Sequence, residues 1–441
     1  MRPIKLVLLA MALVPLTSGA RAADGGLRRQ AYLGASLSAP TSLKAGAEVT
    51  AVEKGTAAAK AGLSVGDRIL KINGRLLDDP IAFDAIIAGL RGGDTADLEV
   101  LRGGRLLSQR IALPPLPSDE IEGTDLFYDS VLTDRGHRLR TILTRPKGSR
   151  GRLPGLFLAG WLSCDSVEIP VGPRDGFARL LRGLASQSGF AMMRMDKPGV
   201  GDSEGSACGQ TDFQTELAGY RAAFQAFLRY DFVDPERIFV LGMSSGGGFA
   251  PLVAGDAKVR GFISSGGWVK TWFEHMMEIE RRRLTLSGSP PGEVSDRMRG
   301  YAELYDAYLN GRKAPGEVVR ERPHLTHLWP GLPGHQYGRP AAFYQQLQAL
   351  NLAAAWEKVE SPVLVLYGEH DWIMSREDHE MIVAIVNRRR PGTARFVAIP
   401  RMSHGYYIHE SPEKSFRDHD SGSFYEPIVP LIVDWMKEQI S

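Results

Sequence analysis

The segment Gly242-Met243-Ser244-Ser245-Gly246 follows the apolar run Arg237-Ile238-Phe239-Val240-Leu241 and precedes small residues able to open a helix. A serine on a sharp strand-to-helix turn has its hydroxyl pushed clear of the sheet. Glycines must flank it, because side chains there would strike the crossing backbone. In a chain with 49 glycines the five-residue pattern also arises by chance, so the neighbouring sequence decides. An activated serine needs a base to take its proton and a carboxylate to orient that base. On this kind of scaffold the order is serine, acid, histidine. Asp371, in Tyr367-Gly368-Glu369-His370-Asp371, comes just past one apolar run, and His404, in Pro400-Arg401-Met402-Ser403-His404-Gly405, just past the next. Glu369 and Asp378 compete for the acid role and His409 for the base, yet Ser244, Asp371 and His404 each directly follow a strand in the required order. Backbone donors for an oxyanion are expected from the N–H of Ser245 and, after the apolar run 156–159, from the N–H of Trp161, with Leu162 as the alternative.

Around these residues the chain alternates strands and helices. A hairpin at 126–132 and 139–144 precedes apolar runs at 156–159, 191–195, 238–241, 261–263, 363–367 and 395–399. One helix opens at a capping box of Thr211 and Gln214 and carries Phe213, Leu217, Tyr220, Phe224, Phe227 and Leu228 at helical spacing. This alternation predicts an α/β fold with a doubly wound, mostly parallel sheet, whose ligands bind beyond the carboxyl ends of the strands. From 268 to about 356 the alternation stops, and a helical insertion rich in Trp, Tyr, Met, Pro and Arg is expected to cap the site.

With these residues in place, 123–441 resembles an α/β-hydrolase, and Arg194-Met195-Asp196-Lys197-Pro198-Gly199-Val200-Gly201-Asp202-Ser203-Glu204-Gly205 is similar to the D-x-x-G-x-G-x-S-x-G loop of that family. Neither phosphate-loop spacing, G-x-x-x-x-G-K-[ST] or G-x-G-x-x-G, is present there. The Asp196 and Ser244 regions look similar to the serine aminopeptidase branch. A lipase-type His-Gly-Gly-Gly oxyanion loop is absent.

A separate small α+β unit is expected at 30–113, followed by a stiff linker at 114–122 that begins Pro114-Pro115-Leu116-Pro117. From Ala61 to Gly74 it matches the signature A-G-L-x-x-G-D-x-I-L-x-I-N-G and resembles a PDZ domain of the bacterial periplasmic protease type. The resemblance implies a peptide or protein C-terminus as partner, captured by backbone N–H groups at Leu33, Gly34 and Ala35 beside a groove helix at 81–90. The loop departs from the commoner glycine-hydrophobic alternation, so a structural or regulatory module is the alternative.

The net charge of +2, from 53 basic and 51 acidic residues, leaves no electrostatic footprint for nucleic acid or anionic lipid, and Arg281-Arg282-Arg283 and Arg388-Arg389-Arg390 are expected to be solvated helix faces or ends. Residues 1–22 carry Arg2 and Lys5, an apolar run at 6–16 and Ala20-Arg21-Ala22, which predicts a cleaved signal peptide, an exported periplasmic or secreted protein, and no membrane span in the mature chain. Cys164 and Cys208 are the two cysteines, free to pair in an oxidising compartment or to remain buried thiols. His324, His327 and His335 lack a companion ligand pattern, so no metal is expected, and the chemistry requires no cofactor. The reading is a serine hydrolase acting on a small ester or acyl substrate through an acyl-enzyme. A peptidase fed by the PDZ-like unit and a non-catalytic envelope scaffold are the alternatives.

Overall fold

The computed structural model describes residues 26–38, 45–168, 175–418 and 421–441. The signal peptide expected at 1–22 lies outside them. The first unit contains β1 (Ala35–Ser38), β2 (Ala47–Val52), α1 (Ala57–Lys60), β3 (Arg68–Ile72), β4 (Arg75–Leu76), α2 (Pro80–Gly89), β5 (Thr95–Arg102) and β6 (Arg105–Ala112). Its strands pair antiparallel in the order β1-β2-β3-β5-β6, with β4 on β3. Asn73 and Gly74, at φ of 50° and 75°, make the tight turn into β4 that their sequence predicts. Val49, Ile69, Ile72, Phe83, Leu98 and Val100 close a core of the unit's own. Such a core is what lets this part be treated as a module.

The second unit runs through β7 (Thr124–Leu132), β8 (Arg138–Pro146), β9 (Leu153–Ala159), α3 (Gly176–Gln187), β10 (Ala191–Met195), α4 (Phe213–Phe227), β11 (Val233–Met243), α5 (Ser245–Ala254) and β12 (Gly261–Ser265). The cap follows with α6 (Trp272–Leu286), α7 (Pro291–Tyr305), α8 (Pro315–Glu321), β13 (His335–Gln336), β14 (Arg339–Pro340), α9 (Ala341–Gln348) and α10 (Leu352–Glu357). The chain then returns to the sheet with β15 (Val363–Gly368), α11 (Arg376–Arg389), β16 (Ala394–Ile399), β17 (Tyr407–Ile408), α12 (Pro412–Asp418), β18 (Ser423–Phe424) and α13 (Ile428–Glu438). The large sheet has eight strands among the described residues, ordered β16-β15-β12-β11-β9-β10-β8-β7. From β16 to β10 all neighbours are parallel, and the β7–β8 hairpin adds antiparallel to β10. This is the α/β-hydrolase fold with a helical cap.

Both faces of the sheet are covered, which is why its strands read as unbroken apolar runs. Phe157, Ile238 and Val240 face the layer holding α4, α5 and the cap, while Leu156, Leu158, Phe239 and Leu241 face α3 and α13. Two local expectations are corrected. The helix at 213 is capped by Asp212, whose carboxylate accepts from Thr215 N–H at 2.8 Å, and Thr211 turns its hydroxyl to the carbonyls of Ser206 and Ala207. Asp ranks with Ser and Thr at this position, and local loop geometry chose between the neighbours. Arg282, read with Arg281 and Arg283 as a solvated helix face, instead reaches across to the carbonyls of Trp372 and Ile373 at 2.9 and 2.6 Å.

Phe157, fully buried, meets the Phe224 ring edge-on at 5.3 Å between centroids. Phe157→Ala is expected to cost about 3–5 kcal/mol, read as a lower urea midpoint of the hydrolase unit. A loss under about 1 kcal/mol would contradict this placement of the core.

Candidate active site

Ser244 lies between β11 and α5 with φ 54° and ψ −124°. A residue with a Cβ adopts positive φ only where its surroundings impose it. Here its N–H donates to the Ser265 carbonyl at the end of β12 at 2.9 Å, and its carbonyl accepts from Gly247 N–H at 2.8 Å. The flanking glycines permit the crossing. A Cβ on Gly242 would fall 2.4 Å from the Gly246 carbonyl oxygen, and one on Gly246 would fall 2.1 Å from that of Ala159. The turn is thereby pressed against the end of β9, with Ser244 itself 8% exposed.

The ends of two further parallel strands bring the partners. Asp371 follows β15, and its Oδ2 accepts from His404 Nδ1 at 2.7 Å. With the proton on Nδ1, the Nε2 lone pair accepts from the Ser244 hydroxyl, at 2.9 Å. The other Asp371 oxygen takes the N–H groups of Ile373 and Met374 at 2.8 and 2.9 Å. Burial alone would raise the Asp371 carboxyl. The facing His404 and the Met374 N–H outweigh it and hold the group below the usual carboxylate range. The rival acid Asp378 is engaged elsewhere, accepting from Val269 and Lys270 N–H and from the Ser375 hydroxyl.

Of the two expected oxyanion donors, Ser245 N–H opens α5 and has no acceptor among the described residues, as is usual at a helix N-terminus. Trp161 N–H likewise has none, whereas the preceding Gly160 N–H is taken by the Tyr220 hydroxyl at 3.2 Å. The loop is fixed by a residue whose role the sequence reading missed. Lys197 Nζ donates to the carbonyls of Trp161 and Ser163 and faces Glu216 at 3.6 Å. Burial lowers the Lys197 ammonium to about 8 against the opposing pull of Glu216. Lysine in the loop following Asp196 carried a weak signal, because its target carbonyls are not adjacent in sequence.

Ser244, Ser245 and His404 open onto a cavity of about 720 Å³. Trp161, Phe177, Trp272, Ile279, Trp372 and Met374 give it an apolar, largely aromatic wall, while Asp165, Glu168 and Asp175 also line it. The cap supplies Trp272, His275, Ile279 and Tyr337. Cys164 and Cys208 are joined in a disulfide with Cα atoms 5.8 Å apart, tying the loop after β9 to the 3-10 turn Cys208–Gln210. Of the three histidines considered for a metal, His324 faces Glu303 at 3.2 Å and His335 Nε2 meets the Gly209 carbonyl at 3.0 Å. In the first unit, Leu33, Gly34 and Ala35 lead into β1, the edge strand. The Leu33 and Gly34 carbonyls are taken by Ala58 and Glu53 N–H at 2.9 Å each, while their own N–H groups have no acceptor among the described residues.

His275 is 2% exposed, lies tilted against Trp272 with ring centroids 4.8 Å apart, and has an Nδ1 without a hydrogen-bond partner among the described residues. Burial pushes its imidazole down from about 6.5 to about 4. The folded protein therefore keeps it neutral while the unfolded chain protonates it. That contribution to stability is complete above the unfolded value and is lost as pH falls through this window toward 4. His275→Phe should make the urea midpoint fall less steeply than in the native protein as pH drops from about 6.5 to about 4.5. Equal slopes would contradict the neutral, buried imidazole.

Comparison with known proteins gives the family of each unit. Residues 31–113 match the family described as PDZ domain, and residues 175–411 match the family described as Serine aminopeptidase, S33. A probable periplasmic serine endoprotease DegP-like of Pseudomonas putida is 38% identical over 78 residues, which is 18% of this chain and 16% of that protein. The chain spans about one sixth of the length of that relative. Among solved structures, Est1E from Butyrivibrio proteoclasticus is similar with a TM-score of 0.44 and 16% identity, over 71% of this chain and 98% of that one. An esterase of Pyrococcus furiosus gives 0.44 and 11%, over 73% and 96%. With the 175–411 match extending over more than half of its length, the chain belongs to the serine aminopeptidase S33 family of α/β-hydrolases and carries an N-terminal PDZ domain.

Proposed function

We propose that this protein is an exported serine hydrolase that cleaves carboxylic esters through an acyl-enzyme. The observation that carries the reading is the hydrogen-bonded chain from Asp371 through His404 to Ser244, at 2.7 and 2.9 Å, opening onto an apolar cavity. In this mechanism the Ser244 oxygen attacks the ester carbonyl as its proton passes to His404 Nε2. The N–H groups of Trp161 and Ser245 receive the oxyanion. Collapse expels the alcohol, protonated by His404, and leaves Ser244 acylated. Water, deprotonated by the same imidazole, then releases the acid. Asp371 stays ionised and holds the imidazole in the tautomer that accepts the serine proton. The aromatic wall of Trp161, Phe177, Trp272 and Trp372 accommodates an apolar acyl group.

A second reading, peptide hydrolysis, is favoured by the family match and by Asp165 and Asp175 in the cavity lining, carboxylates suited to pairing with an α-ammonium. Export is supported by the leader composition of 1–22 and by the periplasmic naming of the DegP-like relatives. Among the described residues no helix is long and apolar enough to cross a membrane. The N–H groups at Leu33 and Gly34, without acceptors among the described residues and beside edge strand β1, support a peptide C-terminus as the PDZ ligand.

A fluorophosphonate probe is expected to label the native protein and to leave Ser244→Ala unlabelled. The native protein should turn over p-nitrophenyl esters faster than aminoacyl anilides, and Asp371→Asn should reduce kcat by about 10⁴-fold. Absence of labelling in the native protein would sink the serine hydrolase reading. Faster anilide than ester turnover would replace the esterase with the peptidase.

A further inference from the structure

The cavity wall at 161–168 is anchored at both ends to groups outside it. Within the hydrolase unit, Lys197 holds the carbonyls of Trp161 and Ser163, while Asp196 accepts from Ser166 Oγ at 3.0 Å and Val167 N–H at 2.8 Å. Arg194 donates to the Val167 carbonyl at 2.6 Å. A further anchor comes from the segment that leads into the first unit and is tied to it by Gly92 N–H, which donates to the Arg29 carbonyl at 2.9 Å. Arg29, in the segment leading into β1, places its guanidinium 2.5 Å from Glu168 and 2.7 Å from Asp202. It also donates to the carbonyls of Leu116 and Pro117 in the linker and lies 4.6 Å over the Tyr128 ring. Tyr128 OH closes the arrangement by bonding Glu168, and Gln30 N–H adds a bond to Asp202 at 2.7 Å.

These contacts are not a solvated surface pair. The side chains of Glu168 and Asp202 are 2% and 1% exposed and that of Arg29 is 17% exposed. Arg29 is thus a fork that meets two buried carboxylates at once, one of which lines the cavity holding Ser244 and His404. A second contact reaches the same loop independently. Ile81 of α2 closes on Gly209, where a Cβ would come within 3.2 Å of Ile81 Cδ1, and the adjacent Cys208 is bonded to Cys164 within the 161–168 wall.

We propose that the segment leading into the N-terminal module braces the catalytic cavity, and that Arg29 is a positioning residue which sets the 161–168 wall through Glu168. The inference rests on the esterase reading of Ser244. It gives the module a role in hydrolysis even when its peptide groove is empty, because the strut lies outside the groove. Lys197, Asp196, Arg194, Tyr128 and the Cys164–Cys208 disulfide hold the wall from within the hydrolase unit itself, so removing Arg29 shifts the wall without collapsing it.

The test uses the full chain, with active sites counted by fluorophosphonate titration and kcat and KM measured on p-nitrophenyl butyrate per titrated site. Arg29→Met is expected to lower kcat/KM about tenfold per site. Arg29→Lys should recover part of the loss, since an ammonium meets one carboxylate but not both. Glu168→Gln should reproduce the loss, and the Arg29→Met/Glu168→Gln double variant should fall no further than Arg29→Met alone. If Arg29→Met does not fold, Arg29→Lys and Glu168→Gln carry the same comparison. A lower melting temperature with kcat/KM per titrated site within twofold of native would overturn the inference, as would losses that simply add in the double variant. Absence of labelling in the native protein overturns the esterase reading first and this inference with it, so the two failures are told apart by the native control.

Discussion

The backbone of Ser244 is held where a side-chain-bearing residue rarely rests, at a positive φ that costs on the order of 1–3 kcal/mol. The sheet around it sustains this conformation. β11 ends between β9 and β12, the Ser244 N–H is fixed to the Ser265 carbonyl, and Gly246 lets the Ala159 carbonyl come closer than any Cβ would allow. Because the turn is pinned on both sides, the hydroxyl has one direction in which to project. Asp371 and His404, at the ends of β15 and β16, meet it there. The parallel order β16-β15-β12-β11-β9 brings the three loops to one end of the sheet, though the residues stand 127 and 33 positions apart, the differences between 371 and 244 and between 404 and 371.

The loops around the site are held by buried or half-buried cations that donate to backbone carbonyls. Lys197 fixes Trp161 and Ser163, Arg194 fixes Val167, and Arg282 of the cap fixes Trp372 and Ile373 beside the acid. Each joins segments far apart in sequence, and each replaces water on groups that would otherwise be buried without partners. Arg339 of the cap instead donates to the Glu216 carboxylate of α4 and to the Cys208 sulfur of the disulfide. The cavity walls are thus fixed by charge-assisted bonds as well as by apolar packing, and such bonds are directional where packing is not.

What the sequence reveals follows from this division. Ser244, Asp371 and His404 are legible because each directly follows an apolar strand, and strand order then brings them together. The PDZ domain is legible because its A-G-L-x-x-G-D-x-I-L-x-I-N-G run is local. The helix cap at Asp212, in place of Thr211, turns on loop dihedrals that neighbouring residues do not encode. Arg29, Lys197, His275 and Arg282 are illegible for a different reason. A lone arginine at position 29 carries no mark of the carboxylates at 168 and 202, and a histidine at helical spacing in α6 reads as any cap residue until the cavity beside it is seen.

The proposed chemistry requires that Ser244 become acylated. Rapid mixing with a p-nitrophenyl ester, followed by acid quench and mass measurement of the intact protein and its peptides, tests it directly. A burst of nitrophenolate matching the titrated enzyme is predicted, with the acyl mass on the peptide that contains Ser244. Steady release without a burst, together with no acylated peptide under conditions that slow deacylation, or an adduct on a different residue, would contradict the account.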